Sequence, residues 1–110
     1  MFTPSTHFMN FYIAGFTFAN GIDVIDDLKL GVNVQLVGET DNPHDPHAVA
    51  IYFEKTHIGY IPADQNEDIW NFIFFGHGDM FDAKISSVFP DKHPEKQFMV
   101  TIRIKDNRKK

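Results

Sequence analysis

The chain contains no cysteine. Disulfides, thiolate nucleophiles and zinc sites built on sulfur are therefore excluded. No apolar run approaches the ~18 residues that a membrane-spanning helix needs, so no membrane partner is expected. A serine on a glycine elbow, a glycine-rich phosphate loop with its lysine, and a helical His-Glu pair are all missing. No catalytic set and no cofactor follow from the residues. The opening MFTPSTHFMNFYIAGF has no basic leader ahead of a smooth apolar core. That is not a secretion-signal pattern, and a cytoplasmic location is expected. With 110 residues there is room for one small domain and not for two.

Cations are scarce in the body of the chain. Residues 1–102 carry five lysines against fourteen acids, a net of −9, whereas residues 103–110 carry a net of +4. An acidic body argues against sequence-blind coating of duplex DNA, which needs many phosphate contacts. It leaves room for a local pocket that takes one strand end or nucleotide. The basic tail reads either as a solvated end or as a phosphate-contacting arm.

What the chain has in quantity is phenylalanine, 12 Phe against one Trp and three Tyr. Such rings suit a compact β core and leave some to stack on a flat ligand. Phe8 to Phe18 reads as a long first strand, followed by a turn at Asn20-Gly21. Alternation would send Phe16 and Phe18 to one face, with Gly15 permitting close backbone approach. Val32, Val34 and Leu36 alternate as a second strand. Ala48–Phe53 and His57–Ile61 form a hairpin. Asp64 and Glu67 resemble a capping box that starts a helix, which ends at Gly76-His77-Gly78. Phe81–Phe89 and Phe98–Ile104 alternate as the last strands, around a polar, mobile-looking stretch at 90–96. These elements predict a mainly β, α+β fold: a small OB-like antiparallel β-barrel of five to six strands with one main helix. The organisation expected is an arm at 1–7, one domain at 8–104 and a basic tail at 105–110.

The densest polar cluster is Asp41-Asn42-Pro43-His44-Asp45-Pro46-His47. Three readings stay open. Asn42 and Asp45 can simply cap backbone amides in a turn that the prolines stiffen. His44 and His47, with Asp41, Asp45 and His57, can be metal ligands, as in a metal-dependent hydrolase. Two prolines forbid the helix that would bring a His-x-x-His pair together. Third, an acceptor, an amide and a flat ring can read a sugar hydroxyl and stack on a base. Tyr60, apolar in body and polar at its tip, suits a pocket edge. A wide apolar arc over Ile69–Phe75, with Trp70 and Phe74 one turn apart, offers a protein partner a contact instead. His7, His77 and His93 read as surface histidines.

The strings Phe11–Phe16, Leu30-Gly31 with Val32–Leu36, Asn42-Pro43-His44-Asp45-Pro46-His47-Ala48-Val49-Ala50-Ile51, and Ile58-Gly59-Tyr60-Ile61-Pro62 together resemble the HIRAN domain. The resemblance spans about residues 8–104. It implies a modified OB-like barrel, found in stand-alone bacterial proteins and in SWI/SNF-type DNA translocases that remodel stalled forks. It further implies a non-catalytic module that binds single-stranded DNA at a free 3′ end, in repair or replication-fork processing. Carried over, Phe18 and His44 become stacking rings, Asp45 the acceptor for the 3′-hydroxyl, Asn42 its neighbour, and Tyr60 a pocket wall. Thr17 and Phe18 stand where the translocase pattern has a basic residue and tyrosines. His44 replaces a tyrosine, and Ala63 stands where a cation would help hold phosphate. Weaker affinity and a flatter salt dependence are the expected results.

Overall fold

A computed structural model describes residues 5–108 of the chain. Six strands are present: β1 (Ser5–Tyr12), β2 (Asn33–Gly38), β3 (Val49–Phe53), β4 (Thr56–Tyr60), β5 (Phe81–Val88) and β6 (Phe98–Lys105). One α-helix, α1 (Glu67–Phe74), lies between β4 and β5. The strands form one sheet in the order β1-β6-β5-β2-β3-β4, every pairing antiparallel. The barrel expected from the sequence is not closed. The sheet curls until the segment just past β1 meets edge strand β4 at an isolated bridge, where Ala14 and Tyr60 exchange backbone hydrogen bonds of 2.9 and 2.8 Å. Among the described residues no helix is long and apolar enough to cross a membrane.

Side-chain alternation sets the core. Phe98, Val100 and Ile102 on β6 are buried, as are Phe81, Ala83 and Ile85 of β5, with Val100 opposite Ile85 and Ile102 opposite Ala83. A bulge between Ile85 and Ser87 then shifts the phase of β5, so the strict alternation through Phe89 does not persist. Val49, Ala50 and Ile51 are buried in succession. Successive strand residues point to opposite faces, so β3 is covered on both. Gly38 lets α1 approach the end of β2, where an added Cβ would lie 3.2 Å from Ile73 Cγ2.

The long first strand divides. β1 ends at Tyr12, and Gly15 adopts a left-handed φ of 67°, which turns the chain into a 3-10 segment, Phe16–Phe18. Phe16 is therefore buried, whereas Phe18 is 93% exposed and does not share its face. The helix also starts later than the capping box implies. It begins at Glu67 with Asn66 at the N-cap, and the Asn66 side chain makes no cap bond. Its end is as read: Gly76 at φ 90° donates to Ile73 O and His77 donates to Phe72 O, the bonding of a Schellman cap. Residues 90–96 are tied down rather than loose. Gln97 donates to Pro90 O and Lys92 O, and Pro94–Lys96 forms a 3-10 turn. The arm at 1–7 enters the sheet from Ser5, and β6 runs to Lys105. Lys109 and Lys110 of the basic tail lie outside the described residues.

Candidate nucleic-acid interface

The β2–β3 connection is built from its own side chains. Asn42 Oδ1 accepts from the amides of His44 (2.8 Å) and Asp45 (3.0 Å). Asp45 Oδ1 accepts from the amide of His47 at 2.9 Å, and the Asp45 carbonyl from Ala48 at 3.3 Å. Pro43 and Pro46 have no amide to satisfy, and the amides of His44, Asp45, His47 and Ala48 around them are each engaged. The second oxygen of Asp45 accepts from the Asn66 amide at 2.7 Å. Asn66 is 2% exposed, and its side chain is turned to the loop, donating through Nδ2 while making no cap bond to α1.

Glu39, at the loop's entry, holds four parts together. Its carboxylate accepts from the Tyr60 hydroxyl (3.1 Å) and from Asn42 Nδ2 (3.0 Å). Its amide donates to Ala48 O at 2.9 Å, and its carbonyl accepts from Trp70 Nε1 at 2.8 Å. Burial first, then the Glu39 carboxylate, raises the Tyr60 phenol above its ordinary value of 10.0. Tyr60 is placed by the Ala14 bridge, which Gly59 permits. Gly59 has φ 150°, and a Cβ there would lie 2.6 Å from Ala14 O.

Together these elements frame a cleft of about 330 Å³ beside the bridge. This is near the lower end of ligand clefts, which span about 300–1,000 Å³. Ala14, Ala48, Ile61 and Ala63 give it an apolar lining, and Asn42, His44, Asp45 and Tyr60 supply the polar groups. No lysine or arginine lines it. Chemically it offers a carboxylate acceptor, an exposed imidazole and a phenol, a set suited to a hydroxyl and a flat ring.

Four residues singled out in the sequence thus converge: Asn42, His44, Asp45 and Tyr60. Phe18 and Thr17 do not line the cleft. They sit on the 3-10 turn that leaves it at Gly15, with Phe18 N donating to Gly15 O at 3.0 Å. Thr17 donates through its amide (3.1 Å) and hydroxyl (3.3 Å) to the Glu95 carboxylate, which also takes the Gly15 amide at 2.9 Å. The metal reading gains no donor set: among the described residues no group of three or more His, Cys, Asp or Glu comes together. The His47 ring packs edge-on against Trp70 at 5.1 Å, and His57 lies edge-on to Tyr60 at 4.8 Å. Glu39, Asn66 and Glu95 were not legible as site residues. Asn66 and Glu95 act through partners at least 21 positions away, and Glu39, though it also takes Asn42 three positions on, meets Tyr60 only through the fold.

The family model of the HIRAN domain matches residues 7–106. The chain belongs to the HIRAN domain family. Two solved structures share its fold. A crystal structure of a protein from Lactobacillus plantarum has a TM-score of 0.75 at 16% identity, covering 94% of this chain and 97% of that one. The crystal structure of the HIRAN domain of human HLTF has a TM-score of 0.62 at 13% identity, covering 93% and 81%. No curated protein matches the sequence. HIRAN domains are nucleic-acid-binding modules, generally non-catalytic. In this HIRAN domain the cleft lies where the sheet edges meet, walled by the Asn-Pro-His-Asp loop and by the tyrosine of Gly-Tyr-Ile-Pro.

Proposed function

We propose that the cleft binds the 3′-terminal nucleotide of single-stranded DNA, without catalysis. In this reading Asp45 accepts from the free 3′-hydroxyl, His44 stacks on the terminal base, and Tyr60 walls the sugar. Phe18, exposed on the turn that leaves the cleft at Gly15, is the platform for the next base. The observation that carries the reading is the Asp45 carboxylate: it is pinned between His47 and Asn66, lines the cleft beside His44, and has no cation there. Each of its oxygens has a lone pair left for a ligand hydroxyl. A terminal phosphate would meet Asp45 with nothing to neutralise it, so this site favours a hydroxyl over a phosphate. A role in DNA repair or replication-fork processing follows from the family resemblance and forms part of the same proposal.

Fluorescence polarisation with otherwise identical 3′-hydroxyl and 3′-phosphate oligonucleotides tests it. The hydroxyl form should bind at least about tenfold tighter, the worth of one strong polar contact. Equal binding of both forms, or no binding at micromolar protein, overturns the 3′-end reading.

A further inference from the structure

The aromatic surface of α1 lies outside this cleft and is left uncovered. Phe72, Phe74 and Phe75 are 38%, 54% and 68% exposed. These rings are held in place. The Trp70 indole is pinned by its bond to the Glu39 carbonyl, and Phe74 stacks on it at 4.8 Å with the planes 9° apart. Phe75 meets Phe74 edge-on at 5.0 Å, and Phe72 is anchored edge-on to Phe81 at 5.8 Å. Rigid, exposed aromatic side chains are what binding hot spots are made of, because little conformational freedom is lost when they are covered.

The charge around these rings selects the occupant. No lysine or arginine occurs between Lys55 and Lys84, a stretch that holds Asp64, Glu67, Asp68, Asp79 and Asp82. A groove of about 280 Å³ on this face is lined by Asp68, Asn71, Phe72, Phe75 and His77, so a carboxylate borders the phenylalanines. A nucleic-acid backbone or an anionic lipid surface would be repelled here. A two-fold contact with a second copy would set the same acidic rim against itself. We infer that this face docks a basic amphipathic segment of a protein partner. Its apolar side chains cover Phe72, Phe74 and Phe75, while its lysines or arginines meet Glu67 and Asp68.

Trp70 is the single tryptophan, so its emission reports on the face directly. The probe is a synthetic Leu/Lys amphipathic peptide of about 18 residues, long enough to form a helix on its own. Its Leu/Glu counterpart is the control. The Leu/Lys peptide should shift Trp70 emission saturably, and less so at high salt, while the Leu/Glu peptide should not. The double variant F74S/F75S, at exposed positions, should weaken binding by about tenfold or more, and E67Q/D68N by about threefold or more. Circular dichroism of both variants should match the parent. Equal response to the two peptides, or unchanged affinity in F74S/F75S, overturns the inference. So does a concentration-dependent dimer that F74S/F75S abolishes, which would assign the face to a second copy. Loss of oligonucleotide binding in F74S/F75S would assign it to nucleic acid and also overturn it.

Discussion

At Asp45, stability and recognition meet on one carboxylate. One oxygen holds the turn through His47 and the other holds Asn66 at the start of α1. Asp45→Asn replaces an acceptor by a donor that must face either the His47 amide or the Asn66 amide. The variant should lose about 1–3 kcal/mol, the usual cost of an unsatisfied buried donor, read as a lower urea midpoint. It should also lose preference for a 3′-hydroxyl; retention of both stability and preference would show that Asp45 does neither job. Glu39 admits a spectroscopic test through Tyr60. The raised phenol means that the folded chain holds this proton more tightly than the unfolded one does. That stabilisation is present in full below the ordinary value of 10.0 and is lost as pH rises through the folded value. Glu39→Gln removes the negative charge and should bring the Tyr60 phenolate titration down, though not fully, because burial is the larger cause. An unchanged titration would detach Glu39 from Tyr60. The loop residues Asn42, His44 and Asp45 were legible because proline and Asx chemistry acts over three or four positions. Asn42 proves mainly a turn builder: its Oδ1 takes two amides and its Nδ2 donates to Glu39.

Elements differ in how far local pattern reaches. The alternation of β6 and the glycine stop of α1 read correctly, since each depends on neighbours in sequence. The first strand did not. An apolar run says nothing of the left-handed Gly15 that breaks it, and so alternation puts Phe16 and Phe18 on one face whereas one is buried and the other is exposed. The start of α1 is not where the Asp64/Glu67 pair puts it, because Pro62–Gln65 closes a turn of its own and the first helical bond runs from Trp70 N to Asn66 O. Gly59 is the hinge of the site's geometry. Gly59→Ala would force a Cβ against Ala14 O at a φ of 150°. It should cost about 1–3 kcal/mol in backbone strain alone and open the Ala14–Tyr60 bridge, seen as faster hydrogen exchange at the amides of both residues. The 3-10 turn carrying Phe18 is secured from afar by Glu95, whose carboxylate takes two amides and one hydroxyl. Glu95→Ala should speed exchange at the Gly15 and Thr17 amides and leave β6 exchange unaltered. A uniform acceleration across the sheet would mean that the contact supports the whole fold instead.

On the scale of the molecule, closure and charge decide what reaches the cleft. Whether a six-stranded sheet closes depends on register and curl across distant pairings, such as the bulges between His7 and Met9 and between Ile51 and Tyr52. Hydrophobic periodicity holds no record of these, so a barrel was expected and an open curl with one bridge is found. The open seam is where the cleft sits, and closing it with further pairing would remove the cleft. Charge is legible without coordinates: residues 1–102 carry a net of −9, and no cation lines the cleft. Binding therefore has to come from stacking and hydroxyl recognition, with few counterions released. For single strands the slope of log K against log salt is about −0.7 for each neutralised phosphate. A cleft that takes one terminal nucleotide, with a second base on Phe18, should give a slope no steeper than about −1.4. A titration of oligonucleotide affinity across salt concentrations measures it directly. A slope near −3 would require about four phosphate contacts. Those would have to come from lysines or arginines outside the cleft, such as the cationic end at 103–110, and recognition would then not rest on the Asp45 loop alone.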